Sequence, residues 1–121
     1  MFKEKIKVLA HTIAPELINI RHHLHANPEL SYQEFKTAAF VQDQLSRMNI
    51  GFEVVATTGI VATIKGNNPD TRVIALRADM DALPIVEEND VPYKSVNKGV
   101  MHACGHDVHT TVLLGAARII N

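Results

Sequence analysis

The sequence predicts an α/β fold in which helices come first, then short strands, then a helix. Three observations carry this. Apolar residues recur at helical spacing over roughly the first 48 positions. Between about residue 52 and residue 79 the pattern changes to short β-branched runs separated by turn residues. From Asp107 the helical spacing returns and continues to Ile120.

The elements follow in order. Phe2 to about Ala10 has helical spacing, and Pro15 suits the first turn of a second helix, with Thr12 as a cap before it. Leu17, Ile20 and Leu24 form the apolar stripe of that second helix. Asn27-Pro28 should end it, because a residue before proline avoids helical angles. Ser31-Tyr32-Gln33-Glu34 reads as a capping box opening the next helix. Phe35, Ala38, Ala39, Val41 and Leu45 should form its buried face, with Asn49 and Gly51 stopping it near Met48. FEVVA (52–56) and IVATIKG (60–66) read as short strands around a Thr58-Gly59 turn, and Asn67-Asn68-Pro69-Asp70 is a strong turn. Val73, Ile74, Ala75 and Leu76 run without alternation, the pattern of a strand buried on both faces. VEENDVPYKSVNKG (86–99) reads as loop. The final stretch, DVHTTVLLGAARII, should bury Val108, Val112, Leu113 and Ala116 on one helical side.

The bulk numbers exclude several classes. A chain of 121 residues has room for one core but not two ordinary domains. Hydrophobic residues make up 46% and charged residues 21%, which is ordinary globular composition. A net charge of −1 and the absence of Trp argue against nucleic-acid and anionic-membrane partners. The first residues, MFKEKIKVLAHTIAPEL, are charged early and have no apolar signal-peptide core. One cysteine cannot form an intramolecular disulfide and fits a reducing compartment. The expected location is therefore cytoplasmic.

Two short constellations could carry chemistry. Asp79-Met80-Asp81 follows the apolar run. On an extended chain, residues two apart point to one side, so both carboxylates could face one pocket at the end of a strand. The competing reading has one Asp capping a backbone group and the other solvated. Cys104-Gly105-His106 is the second constellation. On a turning loop a thiolate and an imidazole two residues apart can converge on one ion, and Gly105 permits an unusual backbone angle between them. Asp107 and His109 lie close enough to orient those ligands. A helix starting near Asp107 would place its positive end beside the thiolate. Cys104 as a nucleophile, or as a small buried cysteine, are the other readings. The crowding of polar groups around it favours the metal. Among Arg21-His22-His23-Leu24-His25, the spacing of His22 and His25 could chelate, but a structural or ligand-orienting role is favoured.

Three stretches, IRHHLHANPELSYQE (20–34), ALRADMDALPI (75–85) and GVMHACGHDVHTTVLLGAA (99–117), closely resemble in order and spacing the N-terminal part of the M20 metallopeptidase family. The closest likeness is to its amidohydrolase branch, which includes hippurate hydrolases, indole-3-acetyl-amino-acid hydrolases and N-acyl-L-amino-acid amidohydrolases. The resemblance implies a zinc-peptidase-like three-layer α/β/α catalytic domain, of which residues 1–121 would be the N-terminal part, without the smaller lid and dimerisation domain. It implies two divalent metals per complete site, zinc or manganese, with nickel or cobalt also compatible. It also implies hydrolysis of the amide bond of an N-acyl amino acid by a metal-bridged water, and a homodimer is compatible with the complete protein.

By that resemblance Cys104 and His106 match metal ligands, and Asp81 matches the acidic residue that orients the site. Asp79 stands where other branches carry a ligand histidine, so its role is open. His109 matches a motif position that orients ligands. Two further features of the family have no counterpart in the chain. The Glu pair that supplies the general base and a ligand comes later in the family, and Glu87-Glu88 precedes the Cys-Gly-His block and does not match it. Later ligand histidines are also unmatched. The resemblance therefore implies an enzyme whose half-site this chain carries, inactive by itself. The alternative is a non-catalytic metal- or partner-binding remnant of such a hydrolase.

Overall fold

A computed structural model describes residues 1–121. The order is α1 (Phe2–Ala26), α2 (Phe35–Arg47), β1 (Gly51–Val55), β2 (Gly59–Thr63) and α3 (His106–Ile120). The α/β class and the order of helix, strand and helix are as the sequence predicts. The core gathers Ile20 and Leu24 from α1, Val41 and Leu45 from α2, Ile50, and Leu114 from α3. Each such aliphatic side chain contributes about 1.5–3 kcal/mol on leaving water.

The start of the chain corrects one expectation. No break occurs at Pro15, and α1 runs through it. Proline removes one ladder donor, but Ile13 before it and Ile20 and Leu24 after it are all buried, so packing on both sides of Pro15 holds a single helix. Thr12 does not cap; its hydroxyl donates to Val8 O at 2.9 Å inside the same helix. Asn27 ends the helix before Pro28, as expected.

The start of α2 corrects another. Glu34 is its N-cap residue and no side-chain capping bond is formed there. Glu34 instead accepts from Tyr32 N and from the Thr58 hydroxyl, tying the helix to the β-turn. The capping is done by Glu29, whose carboxylate accepts from Lys36 N (3.2 Å), Thr37 N (2.6 Å) and the Thr37 hydroxyl (2.7 Å). Those amides are the second and third of the helix, the donors an N-cap satisfies. Ala38, Val41 and Leu45 are buried as predicted, whereas Phe35 and Ala39 face solvent.

β1 and β2 form a two-stranded antiparallel sheet, with Gly51 opposite Thr63 and Val55 opposite Gly59. A Cβ at Gly59 would come within 2.8 Å of the Val55 carbonyl oxygen, so the turn requires glycine there. The apolar run 73–76 does not become a buried strand. No other segment pairs with it, and Val73 and Ile74 are 89% and 76% exposed. Its sequence has the pattern of a two-sided strand, but this chain provides no neighbour on either side.

Two isolated bridges then bring the chain to α3. Leu30 pairs in parallel with Ala82, and Leu83 pairs antiparallel with Met101 through two hydrogen bonds of 2.9 and 3.0 Å. Residues 86–99 have no regular structure, as predicted, yet they are pinned: Val96 N donates to Ala26 O, and the Asn97 amide donates to Pro28 O. In α3 the buried positions are Asp107, Thr110, Thr111, Leu114 and Gly115. The expected face is thus rotated, and Val108 and Val112 lie outside it. The rotation follows from Asp107, whose carboxylate is drawn inward by partners on α1. No helix is long and apolar enough to cross a membrane.

Candidate metal centre

The Leu83–Met101 pairing sets the Asp81 segment beside the start of α3. His106 is the first residue of α3, and its Nδ1 lies 2.9 Å from Asp81 Oδ1 and 3.0 Å from Asp81 O. Both oxygens can only accept, so Nδ1 carries the proton. A neutral His106 then presents an unprotonated Nε2 from a side chain that is only partly buried. An imidazole held this way is prepared to ligate through Nε2.

Gly105 has φ of +82°, a left-handed angle that turns the chain into α3, and its carbonyl accepts from Val108 N and His109 N. Cys104 lies immediately before this turn as an exposed free thiol. The N-terminus of α3 begins two residues after it, at His106. The His109 ring lies 5.8 Å from that of His106.

The aspartates of the Asp-Met-Asp stretch separate. Asp81 takes His106, while the Asp79 carboxylate takes Arg77 Nε at 2.9 Å in solvent. Asp79 reaches α3 only through its backbone carbonyl, which accepts from the Thr110 hydroxyl. The expectation that both carboxylates face one pocket fails because no sheet holds residues 77–81 extended.

Asp107 is buried behind the half-site. Its Oδ2 accepts from Arg21 Nε (3.0 Å) and faces His25 Nδ1 (2.7 Å). The other ring nitrogen of His25 faces Glu87 Oε1 at 2.8 Å. Both nitrogens are therefore engaged by carboxylates, which removes His25 as a ligand and bears out its structural role. His22 stacks on Tyr93 at 3.8 Å. Burial alone would raise the Glu87 pKa. Hydrogen bonds from His25, Ser95 N and Asn89 outweigh it and bring the group down to about 2.

Sequence reasoning missed three participants: Arg21, Glu87 and His102. His102 is buried with neither ring nitrogen hydrogen-bonded, and burial pushes its pKa below the ordinary imidazole value. The second carboxylate oxygen of Asp107 is also buried without a partner. A charged pair inside a polar loop gives no sign that one member is buried, so Glu87 could not be found from composition. No group of three His, Cys, Asp or Glu side chains is arranged to hold a metal ion.

An α/β chain with a thiol and an oriented imidazole at the head of one helix is the class these features define. Residues 75–121 match the model of peptidase family M20/M25/M40. The chain is 50% identical over 122 residues to an N-acyl-L-amino acid amidohydrolase of Geobacillus stearothermophilus, a match over 100% of this chain and 33% of that protein. It is 49% identical over 118 residues to a probable hydrolase of Synechocystis, covering 97% of this chain and 30% of the relative. The crystal structure of the Bacillus subtilis YxeP protein, described as a dinuclear metal-binding peptidase of the M20 family, superposes with a TM-score of 0.87 at 44% identity, over 92% of this chain and 32% of that one. Over nearly its whole length the chain is thus similar in sequence and fold to these proteins, and it spans about a third of their length.

Proposed function

We propose that this chain supplies the Cys104–His106 half of a binuclear metal centre in an amidohydrolase that cleaves N-acyl amino acids into a carboxylic acid and an amino acid. The observation that carries the reading is the Asp81–His106 pair, which fixes the His106 proton on Nδ1 and frees Nε2. A thiolate and an imidazole suit zinc, and also accommodate manganese, nickel or cobalt. Divalent cations in such a site supply Lewis acidity toward the amide carbonyl and make a water nucleophilic near neutral pH.

The residues of this chain have separate tasks. Cys104 offers an exposed sulfur just before α3. His106 offers Nε2, and Asp81 holds the ring in that tautomer. Asp107 anchors the first turn of α3, and His109 lies at its rim. Asp79 has no assigned contact with a ligand. The likeness to the Geobacillus amidohydrolase supports the N-acyl amino acid substrate class. The unmatched general base implies that the 121 residues alone do not hydrolyse amides. The reading as the N-terminal part of a catalytic domain, a cytoplasmic location and a homodimer accompany the proposal.

The test uses the protein purified from its native cells. Its intact mass is measured, and it is assayed on N-acetyl and N-benzoyl amino acids with and without a chelator. Chelator-sensitive hydrolysis that Cys104→Ala abolishes is the expected result. Stoichiometric metal without hydrolysis would overturn it in favour of a binding remnant. Rapid alkylation of Cys104 with chelator-resistant turnover would overturn it in favour of a cysteine enzyme.

A further inference from the structure

The first half of α1 carries an apolar line whose leading residues are uncovered. Phe2, Ile6, Leu9 and Ile13 follow one another at steps of four, three and four. At 3.6 residues per turn they fall within about 60° of the helix circumference. The same line runs on through Ile20 and Leu24 into the core, where α2 and α3 cover it. Ile13 is already buried, whereas Phe2, Ile6 and Leu9 are 83%, 50% and 36% exposed. Every residue from Met1 to Leu9 is exposed.

The width and the charge of this line select what it fits. A helix packed on a broad core presents an apolar stripe of roughly 100° or more, and a narrower line at four-three steps is the seam between two paired helices. Lys3 and Ala10 stand along one flank of the line, and Lys5 and Thr12 along the other. Lys7 and Glu4 form an ion pair of 3.0 Å on the outer side of the helix. An antiparallel second copy can place its Leu9 opposite Ile6 and its Ile6 opposite Leu9. Lys3 then meets Ala10 of that copy, and Lys5 meets Thr12, so no lysine faces a lysine. A parallel copy sets Lys5 of one chain beside Lys3 of the other, where like charges repel. The charge pattern therefore favours the antiparallel pair.

We propose that residues 2–13 of α1 are a self-association surface, and that its occupant is the same segment of a second copy, antiparallel about a twofold axis between Ile6 and Leu9. Such a contact is isologous, each copy offering the same patch. The seam is short, so the dimer is weak and depends on concentration. The start of α3 lies beside the other end of α1, where Asp107 meets Arg21 and His25, so pairing leaves Cys104 and His106 free in both copies. The proposal does not rest on the metal reading.

The experiment is sedimentation velocity over a concentration series, on the full chain carrying Ile74→Lys and Leu76→Lys. Those two changes take the exposed apolar run 73–76 out of play, so the association that remains belongs to α1. A concentration-dependent dimer is expected. Adding Ile6→Lys puts a charge into the seam from both sides and should return the chain to monomer. Adding Thr12→Glu instead places a carboxylate opposite Lys5 of the second copy, twice by symmetry, and should tighten the dimer roughly three- to five-fold, as two exposed ion pairs do. Thr12→Gln, of similar length but uncharged, should not tighten it. In a parallel pair Thr12 meets no lysine, so equal affinities for the Glu and Gln variants would overturn the antiparallel register. A monomer before Ile6→Lys is added, or a dimer indifferent to it, would overturn the surface. A monomer that binds phosphatidylserine–phosphatidylcholine vesicles, and loses them on Ile6→Lys, would overturn the second copy in favour of a lipid surface.

Discussion

At the scale of single residues, the centre depends on hydrogen bonds that fix protons. Asp81 gives His106 two acceptors on one side of the ring, which settles the tautomer before any ligand arrives. Asp81→Ala should therefore weaken metal binding roughly 10–100-fold while leaving Cys104 in place. Asp81→Asn, which keeps an acceptor but loses the charge, should fall between. Isothermal titration with Zn²⁺ or Cd²⁺ would show the order, and equal affinities for all three would refute the role given to Asp81. Glu87 sets a pH dependence. Its folded pKa of about 2 lies below the ordinary 4.5. A carboxyl depressed by folding stabilises the native state above its unfolded pKa and loses that contribution as pH falls. Stability should thus decline between about pH 4.5 and pH 2, and Glu87→Gln should flatten that part of the profile. Urea unfolding at several pH values reads this directly, and parallel profiles for the two proteins would contradict it.

At the scale of elements, α2 shows how far local signals reach. Its existence and length follow from the periodicity of Ala38, Val41 and Leu45, and its end from Asn49, which adopts φ of +56° as a residue past a helix C-terminus commonly does. Its start was misread, because Ser31-x-x-Glu34 has the form of a capping box while the bonds come from Glu29. Glu29→Ala should cost about 1 kcal/mol of stability, the usual loss when an N-cap is removed, with Ser31→Ala near neutral. Chemical denaturation of the two variants would distinguish them, and the reverse order would restore the capping box. The same limit explains the rest of the site. Cys104, Gly105 and His106 are contiguous, and Asp81 stands in a recognisable stretch, so the donor pair was legible. His25 meets Asp107 across 82 positions and Glu87 across 62. Nothing local to any of the three records that meeting. Likewise the apolar run 73–76 has a strand's composition, but a strand exists only where another chain segment accepts its hydrogen bonds.

At the scale of the whole molecule, the balance of buried and exposed apolar surface stands out. Val73, Ile74 and Leu76 are more than half exposed, as are Val61, Val86, Val96 and Val112. Extended, unpaired and apolar backbone is a template for association with other chains. The isolated chain should therefore self-associate at micromolar concentration, and Ile74→Lys with Leu76→Lys should shift it toward monomer. Sedimentation velocity provides the check. A monomeric parent with a sharp cooperative thermal transition would show that this surface is tolerated in solution.

The central claim is that Cys104 and His106 form one prepared half of a metal centre. Cd²⁺ titration of the 121-residue chain, followed by the thiolate absorption band, tests it most directly. The account predicts one Cys104-dependent band, abolished by Cys104→Ala and strongly weakened by His106→Ala. A chain that shows no such band, or one whose band is unchanged by His106→Ala, would contradict it.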